Sequence, residues 1–230
     1  MPSRNEQSVQ IPLDSTTSLS GILDIPDDGQ DVVLFAHGSG SGRHSPRNRY
    51  VAKVLQEAGL GTLLFDLLTE QEEIIDEQTR HLRFDIVLLA NRLIGVTDWL
   101  LQQQLDTSNT DHEIHSIGYF GASTGAAAAL IAAAKRTDAV KAVVSRGGRP
   151  DLARDEYLNQ VRAPTLLLVG ENDEPVIELN QEAHDKLKLL KEDEKRLTII
   201  RGATHLFEEP GKLEQVAQLA SEWFARFLRP

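Results

Sequence analysis

Short apolar runs alternate along the chain with longer stretches in which apolar residues recur every three or four positions. The runs are rich in Val, Ile, Leu and Phe and predict strands, and the longer stretches predict amphipathic helices. The predicted strands are residues 9–13, 19–25, 32–36, 62–66, 115–120, 140–145, 165–169 and 197–200. Strands that alternate with helices form mostly parallel sheets, so we expect an α/β protein built as a three-layer αβα sandwich.

The helical pattern covers residues 47–58, 80–104, 126–135, 175–190 and 212–228. The first two predicted strands read as a pair at one edge of the sheet. The acidic segment 67–79 is expected to be a loop, and the polar segment 106–113 a surface loop. About twenty residues separate Val144 from Leu166, which is too few for a large inserted lid domain, so we expect an open site.

Length and composition predict one domain that spans residues 1–230, because 230 residues with 40% hydrophobic content suit a single core. The absence of cysteine excludes disulfides, thiolate metal sites and a cysteine nucleophile. The polar start MPSRNEQSVQ lacks the apolar core of a secretory signal, and no apolar run approaches the roughly 18 residues of a membrane span. We therefore expect a cytoplasmic protein with no membrane partner.

The net charge of −11 argues against a nucleic-acid partner, because the surface as a whole repels phosphate backbones. The acidic stretch 70–77 and the mixed-charge stretch 191–196 are interpreted as solvated faces. The oligomeric state is left open by the sequence.

A nucleophile turn is predicted between a buried strand and an alanine-rich helix. Gly121-Ala122-Ser123-Thr124-Gly125 matches G-x-S-x-G, the turn that holds a serine in a strained backbone conformation at the end of a strand. Ser123 is the candidate nucleophile, and the backbone N–H of Thr124, at the helix start, is a candidate oxyanion-hole donor. The alternative is a glycine-rich bend in which the serine has no chemical role.

A serine nucleophile needs a histidine base that is oriented by a carboxylate, and both are expected after later strands. Asp173 follows the strand 165–169, and His205 follows the strand 197–200. Glu171 and Glu174 compete with Asp173 for the role of the acid, and all three also suit a turn or a helix N-cap.

The glycine-rich segment 37–42 follows the first buried strand, where this type of fold places its second oxyanion-hole amide. The backbone N–H of Ser39 is the candidate donor, and Gly40 is a candidate for substrate contact. No cofactor is expected, because the segment lacks both the third glycine of a dinucleotide loop and the Lys-Ser/Thr of a P-loop. No metal is expected either, since His112 and His115 have no third ligand in view.

Arginines cluster near two of these strand ends. Arg43, His44 and Arg146 are further candidates for substrate contact, and with Arg47, Asn48, Arg49 and Arg149 they could form a positive rim that suits an anionic substrate. The alternative is that these arginines pair with the many surface carboxylates.

These motifs together resemble the α/β-hydrolase superfamily, and within it the small proteins similar to dienelactone hydrolase. The resemblance covers nearly the whole chain and rests on residues 37–40, 43–50, 121–125, 202–205 and Asp173 before Pro175. It implies a hydrolase without a large lid domain and with a triad of Ser123, Asp173 and His205. Dienelactone hydrolase itself carries cysteine at the position of Ser123 in the nucleophile turn, so the resemblance does not imply dienelactone as the substrate. Similar serine-bearing domains occur fused to phosphoribosyltransferase-like domains, but no transferase motif is found in this chain.

The expected activity is therefore that of a serine hydrolase, which cleaves a carboxylic ester, a lactone or a related acyl bond of a small molecule through an acyl-enzyme on Ser123. Two alternatives stay open: an acyltransferase on the same fold, and a catalytically idle binding domain that keeps the fold without the chemistry.

Overall fold

A computed structural model describes residues 6–26, 30–106 and 114–229. These residues form an eight-stranded sheet in the order β1-β2-β4-β3-β5-β6-β7-β8. The strands are β1 Gln7–Pro12, β2 Ser18–Asp24, β3 Asp31–Ala36, β4 Gly61–Phe65, β5 Ser116–Ala122, β6 Val140–Arg146, β7 Thr165–Gly170 and β8 Lys195–Ile200. β1 and β2 are antiparallel to each other and β2 is antiparallel to β4, whereas the remaining pairs are parallel.

The helices of the described residues are α1 Pro46–Glu57, α2 Glu70–Thr79, α3 Ile86–Asp106, α4 Thr124–Lys135, α5 Arg154–Leu158, α6 Glu174–Lys186 and α7 Lys212–Leu228. Short 3₁₀ turns lie at Leu82–Phe84 and Pro150–Ala153. In this part of the chain none of the helices has the length and apolar character needed to cross a membrane.

Two apolar cores lie on opposite faces of the sheet, which gives the predicted three layers. One core contains side chains of α1 and α7, including Leu55 and Phe224. The other contains side chains of α3, α4, α5 and α6. The alanines of α4 between residues 126 and 133 are almost fully buried. Small alanine side chains allow α4 to approach the sheet closely. The fold prediction is confirmed, and no large lid interrupts the described connection between β6 and β7.

Each of the eight predicted strands is present, with bounds that differ by one or two residues. The prediction of a loop at 67–79 is wrong, because residues 70–79 form α2. This helix begins with a capping box, in which Thr69 Oγ1 accepts from the N–H of Glu72 and the Glu72 carboxylate accepts from the N–H of Thr69.

The long helix predicted over 80–104 also begins later, because Arg80 ends α2 in a left-handed conformation with φ of 55°. Asp85 accepts a hydrogen bond from the N–H of Leu88, so α3 begins at Ile86. The surface loop predicted over 106–113 lies outside the described residues, except for Asp106 at the end of α3.

The strand order reverses between β3 and β5. After β3 the chain proceeds to β4 on one side, and from β5 it proceeds through β6, β7 and β8 on the other side. In open parallel sheets, ligands bind outside the carboxyl ends of the strands at such a switch point. The segments that follow β3 and β5 contain Ser39 and Ser123, respectively.

Candidate active site

Ser123 lies on the turn between β5 and α4 with φ of 50° and ψ of −121°, a conformation that costs a residue with a side chain about 1–3 kcal/mol. The two flanking glycines have a steric explanation. A Cβ on Gly121 would lie 2.5 Å from the Cα of Ala126, and one on Gly125 would lie 2.1 Å from the carbonyl oxygen of Ala36. Both distances are below 3.0 Å, which Cβ atoms essentially never show with other heavy atoms, so the strained turn requires glycine on both sides.

Backbone hydrogen bonds tie this turn to the end of β6. The N–H of Ser123 donates to the carbonyl of Arg146 at 3.2 Å, and the carbonyl of Ser123 accepts from the N–H of Arg149 at 3.1 Å. The buried amide of Asn180 in α6 donates to the carbonyl of Gly148 at 3.0 Å and so fixes the same segment. Residues 146–149 therefore position the serine, and Asn180 holds these residues in place. The sequence did not reveal these roles of Gly148 and Asn180.

The structure brings Asp173 and His205 together. The carboxylate of Asp173, at the start of α6, lies 2.6 Å from Nδ1 of His205. Glu171 instead accepts a hydrogen bond from the N–H of Gly202 at 2.8 Å, and Glu174 is exposed at the first position of α6. Of the three candidate acids, Asp173 is thus the one that contacts the imidazole.

The loops that carry this pair are joined by their backbones. The N–H of Glu171 donates to the carbonyl of Ile200, and the N–H of Asn172 donates to the carbonyl of Ala203. Gly170 permits this approach, because a Cβ there would lie 2.4 Å from the carbonyl oxygen of Ala203. The end of β7 and the segment before His205 are therefore held in one arrangement.

Ser123 and His205 both lie next to the end of β6. A Cβ on Gly147 would lie 3.4 Å from Nδ1 of His205, and the preceding residue, Arg146, accepts the N–H of Ser123. Within residues 6–26, 30–106 and 114–229, no hydrogen bond joins the Ser123 hydroxyl to the imidazole. Catalytic hydrogen bonds are often long in the absence of substrate and shorten in the complex.

The segment after β3 approaches the serine closely. A Cβ on Gly38 would lie 3.0 Å from the Cβ of Ser123, and the N–H of Ser41 donates to the carbonyl of Gly38, which closes a turn over Ser39 and Gly40. Gly40 adopts φ of 68°, in the region that favours glycine. The Ser39 amide takes no part in the hydrogen bond that closes the turn.

His37 fixes this turn, a role that the sequence analysis did not give it. Its Nδ1 donates to the carbonyl of Gly38 at 2.9 Å, and its Nε2 accepts from the N–H of Leu67 at 3.0 Å. A ring nitrogen that accepts is unprotonated, so this imidazole is neutral. Burial lowers the pKa of His37 and maintains that state.

A small cavity lies beside Ser39 and Thr124, the two residues whose amides are the oxyanion-hole candidates. It is lined by His37, Gly38, Ser39, Gly40, Leu67, Leu68, Glu73, Asp76, Arg83, Leu89 and Thr124. The hydroxyl of Thr124 is buried and has no hydrogen-bond partner among the described residues.

Three charged residues of the cavity come from α2 and the turn after it. Asp76 is fully buried and accepts from the N–H groups of Leu82 and Arg83 and from Nε of Arg83. Burial, and then the nearby carboxylate of Asp76, raises the pKa of Glu73. Glu73 and Asp76 were not predicted as site residues because the segment 67–79 was interpreted as a loop, although the Thr69-x-x-Glu72 pattern could have revealed the helix. Arg83 was placed in the long helix predicted over 80–104.

The candidate positive rim is for the most part paired with carboxylates. The pairs are Arg43 with Asp66, Arg47 with Glu208, Arg49 with Glu6 and Arg149 with Asp151. His44 is exposed. Arg146 differs from all of them, because it is 8% exposed and has no ion pair in the described part of the chain.

Comparisons with known proteins agree with this architecture. Residues 29–226 match the family model described as an alpha/beta hydrolase domain. A crystal structure of dienelactone hydrolase from Anabaena variabilis is 58% identical, with a TM-score of 0.88 over 97% of this chain and 98% of that one. An esterase from Pyrococcus furiosus, at 18% identity, has a TM-score of 0.74 over 97% of this chain and 91% of that one, which shows a shared fold.

Two curated relatives from strains of Mycobacterium tuberculosis are 54% identical over 223 residues, 97% of this chain. Both are provisionally named phosphoribosyl transferases. The chain spans about half of their length, since the match covers 47% of each relative.

Proposed function

The chain belongs to the alpha/beta hydrolase domain family, and from this premise we propose that it is a serine hydrolase that cleaves a carboxylic ester, a lactone or a related acyl bond. The observation that carries the proposal is the 2.6 Å contact between Asp173 and His205 at the edge of the sheet where Ser123 occupies a strained turn. A hydroxyl, an imidazole and a carboxylate at one site are the parts that acyl transfer to serine requires.

In the first half of the reaction, Nε2 of His205 takes the proton of Ser123 while the serine oxygen bonds to the acyl carbon. Asp173 accepts from Nδ1–H of His205, which leaves Nε2 free to act as the base and stabilises the imidazolium. The N–H groups of Ser39 and Thr124 donate to the oxyanion. The tetrahedral intermediate then expels the leaving group, which takes the proton from His205, and an acyl-enzyme remains.

Water releases the acyl group in the second half. His205 removes a proton from water as the water oxygen bonds to the acyl carbon, and it returns that proton to Ser123 when the carboxylic acid leaves. The small cavity beside the two amides suits the acyl group, because Leu67, Leu68 and Leu89 supply an apolar wall. We expect short, compact acyl groups to react best.

The direct test is hydrolysis of p-nitrophenyl esters, lactones and thioesters of graded length by the protein and by Ser123→Ala. We expect Ser123→Ala to lower kcat by at least about 1,000-fold, as loss of a triad member does in serine hydrolases. The matched control is Ser116→Ala, at the opposite end of the same strand, which should keep its rate. Equal rates for Ser123→Ala and the unaltered protein would refute the assignment.

Two further measurements address the alternatives. A fluorophosphonate probe should label Ser123, whereas an idle binding domain would stay unlabelled. Added alcohols should leave the carboxylic acid as the main product, whereas an acyltransferase would form a new ester. Two relatives of about twice the length are named phosphoribosyl transferases. The residues of this chain that support hydrolysis are present whatever the remainder of those relatives does.

A further inference from the structure

Arg146 is the last residue of β6, and among the buried charged side chains of the described residues it is the one without a partner. Only 8% of the residue is exposed, and its Nη1 is buried without a hydrogen-bond partner. None of the described residues forms an ion pair or a side-chain hydrogen bond with its guanidinium. Buried charges are normally paired, because removing an ion from water costs several kcal/mol. An unpaired buried guanidinium therefore indicates a missing anionic partner.

A neighbouring positive charge increases the free-energy cost of burying the unpaired guanidinium of Arg146. The charged group that most affects it is another cation, Arg47 in the first turn of α1, and burial followed by the charge of Arg47 lowers the pKa of Arg146 to about 10. Arg146 thus keeps its positive charge at neutral pH. Arg47 has a buried, unpartnered Nε, and its ion pair with Glu208 uses a carboxylate whose side chain is 61% exposed. The positive end of the α1 dipole adds to the positive potential.

The side chain of Arg146 lies on the opposite face of the sheet from the acyl cavity. Ala142 and Val144 of β6 belong to the core that contains α1 and α7, and Arg146 follows at the same alternation. Leu67, Leu68 and Leu89 of the cavity belong to the other core. The backbone of Arg146 nevertheless contacts the active site, because its carbonyl accepts the N–H of Ser123 and Gly147 lies against His205.

We propose that Arg146 and Arg47 form a binding site for one small oxyanion, a phosphate or a carboxylate, beneath the segment that carries His205. A planar guanidinium binds two oxygens of such an anion through parallel hydrogen bonds. The site is separate from the hydrolytic chemistry, so its existence does not depend on Ser123 acting as a nucleophile. The anion neutralises Arg146 and joins β6 to α1.

The test is thermal unfolding and titration calorimetry with inorganic phosphate at constant ionic strength in sodium chloride. For the unaltered protein we expect one saturable site and a rise in Tm on the order of 2–4 °C near saturation. Arg146→Gln should lose both. Arg149→Gln is the matched control, because Arg149 lies three residues away and is paired with Asp151. It should respond like the unaltered protein.

An equal rise in Tm for the protein and for Arg146→Gln would show a general salt effect and overturn the proposal, as would the absence of saturable binding. A second variant guards against misfolding. Without phosphate, Arg146→Met should melt at or above the temperature of the unaltered protein, because it removes an unpaired buried charge. With phosphate the order should reverse. A lower Tm for Arg146→Met under both conditions would show an internal partner and contradict the site.

The anion can be a free ion or a charged group of the substrate, and inhibition separates the two sources. Competitive inhibition by phosphate of the hydrolysis of an ester that carries a carboxylate, mono-p-nitrophenyl succinate, but not of neutral p-nitrophenyl acetate, would identify a substrate group if it is lost in Arg146→Gln. An Arg146-dependent effect on kcat alone would identify a free anion. Calorimetry needs no turnover, so a failure of the proposed hydrolysis would leave this test intact.

Discussion

At the scale of single residues, the nucleophile turn depends on the absence of a Cβ atom at Gly121 and at Gly125. Gly125→Ala would place a Cβ 2.1 Å from the carbonyl oxygen of Ala36 and 2.4 Å from that of His37, and both are backbone atoms, one at the end of β3 and one in the residue after it. Because backbone cannot move aside locally, we expect Gly125→Ala to lower the free energy of unfolding by about 3 kcal/mol or more. Urea denaturation followed by circular dichroism measures this change.

Gly211→Ala is the control for that substitution. Gly211 has φ of 79° but no atom within 4 Å of its Cβ position, so only the backbone conformation is penalised. We expect a loss of about 1 kcal/mol. Similar losses for the two variants would show that collision with the backbone does not explain the glycine at position 125.

The carboxylate that contacts His205 is the second residue whose effect we expect to be large. Asp173→Asn keeps the size of the side chain but presents an amide to Nδ1, which removes the charge that stabilises the imidazolium and favours the wrong tautomer. We expect kcat for p-nitrophenyl acetate to fall between about 100- and 10,000-fold. Glu174→Gln, in the next residue and exposed, serves as the control and should stay near the original rate. A comparable loss in both variants would argue against Asp173 as the orienting acid.

At the scale of elements, the strands were predictable and α2 was not, for a physical reason. The inner strands of the parallel part of the sheet, β3 to β7, are buried on both faces along most of their length, so a largely uninterrupted apolar run reveals each of them. The edge strand β8 is only partly buried. The helix α2 has no apolar face towards the core. Its two isoleucines, Ile74 and Ile75, are 57% and 52% exposed, and its one buried residue is Asp76. Periodicity therefore carries no signal, and only the capping residues indicate this helix.

The cap of α2 leads to a third prediction. Thr69→Ala removes the hydroxyl that accepts from the N–H of Glu72, and we expect a loss of about 1 kcal/mol in the free energy of unfolding. Thr79→Ala, at the other end of the same helix, is the control, because that exposed hydroxyl caps no N–H of the helix: it donates to the carbonyl of Ile75 and contacts the exposed ring of His81. Chemical denaturation of both variants measures the difference. If the control loses as much, the capping box contributes nothing specific.

The candidate site shows the same division between local and long-range information. Ser123, Asp173 and His205 were identifiable because each follows a recognisable strand, and the carboxyl ends of neighbouring parallel strands meet at one edge of the sheet. The pairing of arginines was not identifiable. Arg43 forms an ion pair with Asp66, and Arg47 forms one with Glu208, which is distant in sequence, whereas Arg146 has no partner among the described residues. Such outcomes depend on tertiary distances that the order of residues does not reveal.

At the scale of the whole molecule, His37 connects the stability of the fold to pH. Its ring joins the turn that contains Ser39 to the connection after β4, and the hydrogen bond that Nε2 accepts from the N–H of Leu67 needs the neutral form. Burial lowers the pKa of His37 below the ordinary value of 6.5, which the unfolded chain retains. Between pH 6.5 and the lower folded-state pKa, the unfolded state therefore binds more protons than the folded state. The free energy of unfolding must then decrease as the pH falls through this window.

We expect His37→Gln to remove this contribution. From pH 8 to pH 6.5 the two proteins should show parallel stability curves, and below about pH 6.5 the unaltered protein should lose up to about 1.4 kcal/mol per pH unit more than the variant. Urea denaturation at half-unit pH intervals measures both curves. His44→Gln replaces an exposed histidine in the same region and should keep the original slope. Curves for the protein and His37→Gln that stay parallel down to pH 5 would mean that His37 titrates alike in both states, which contradicts a buried neutral ring.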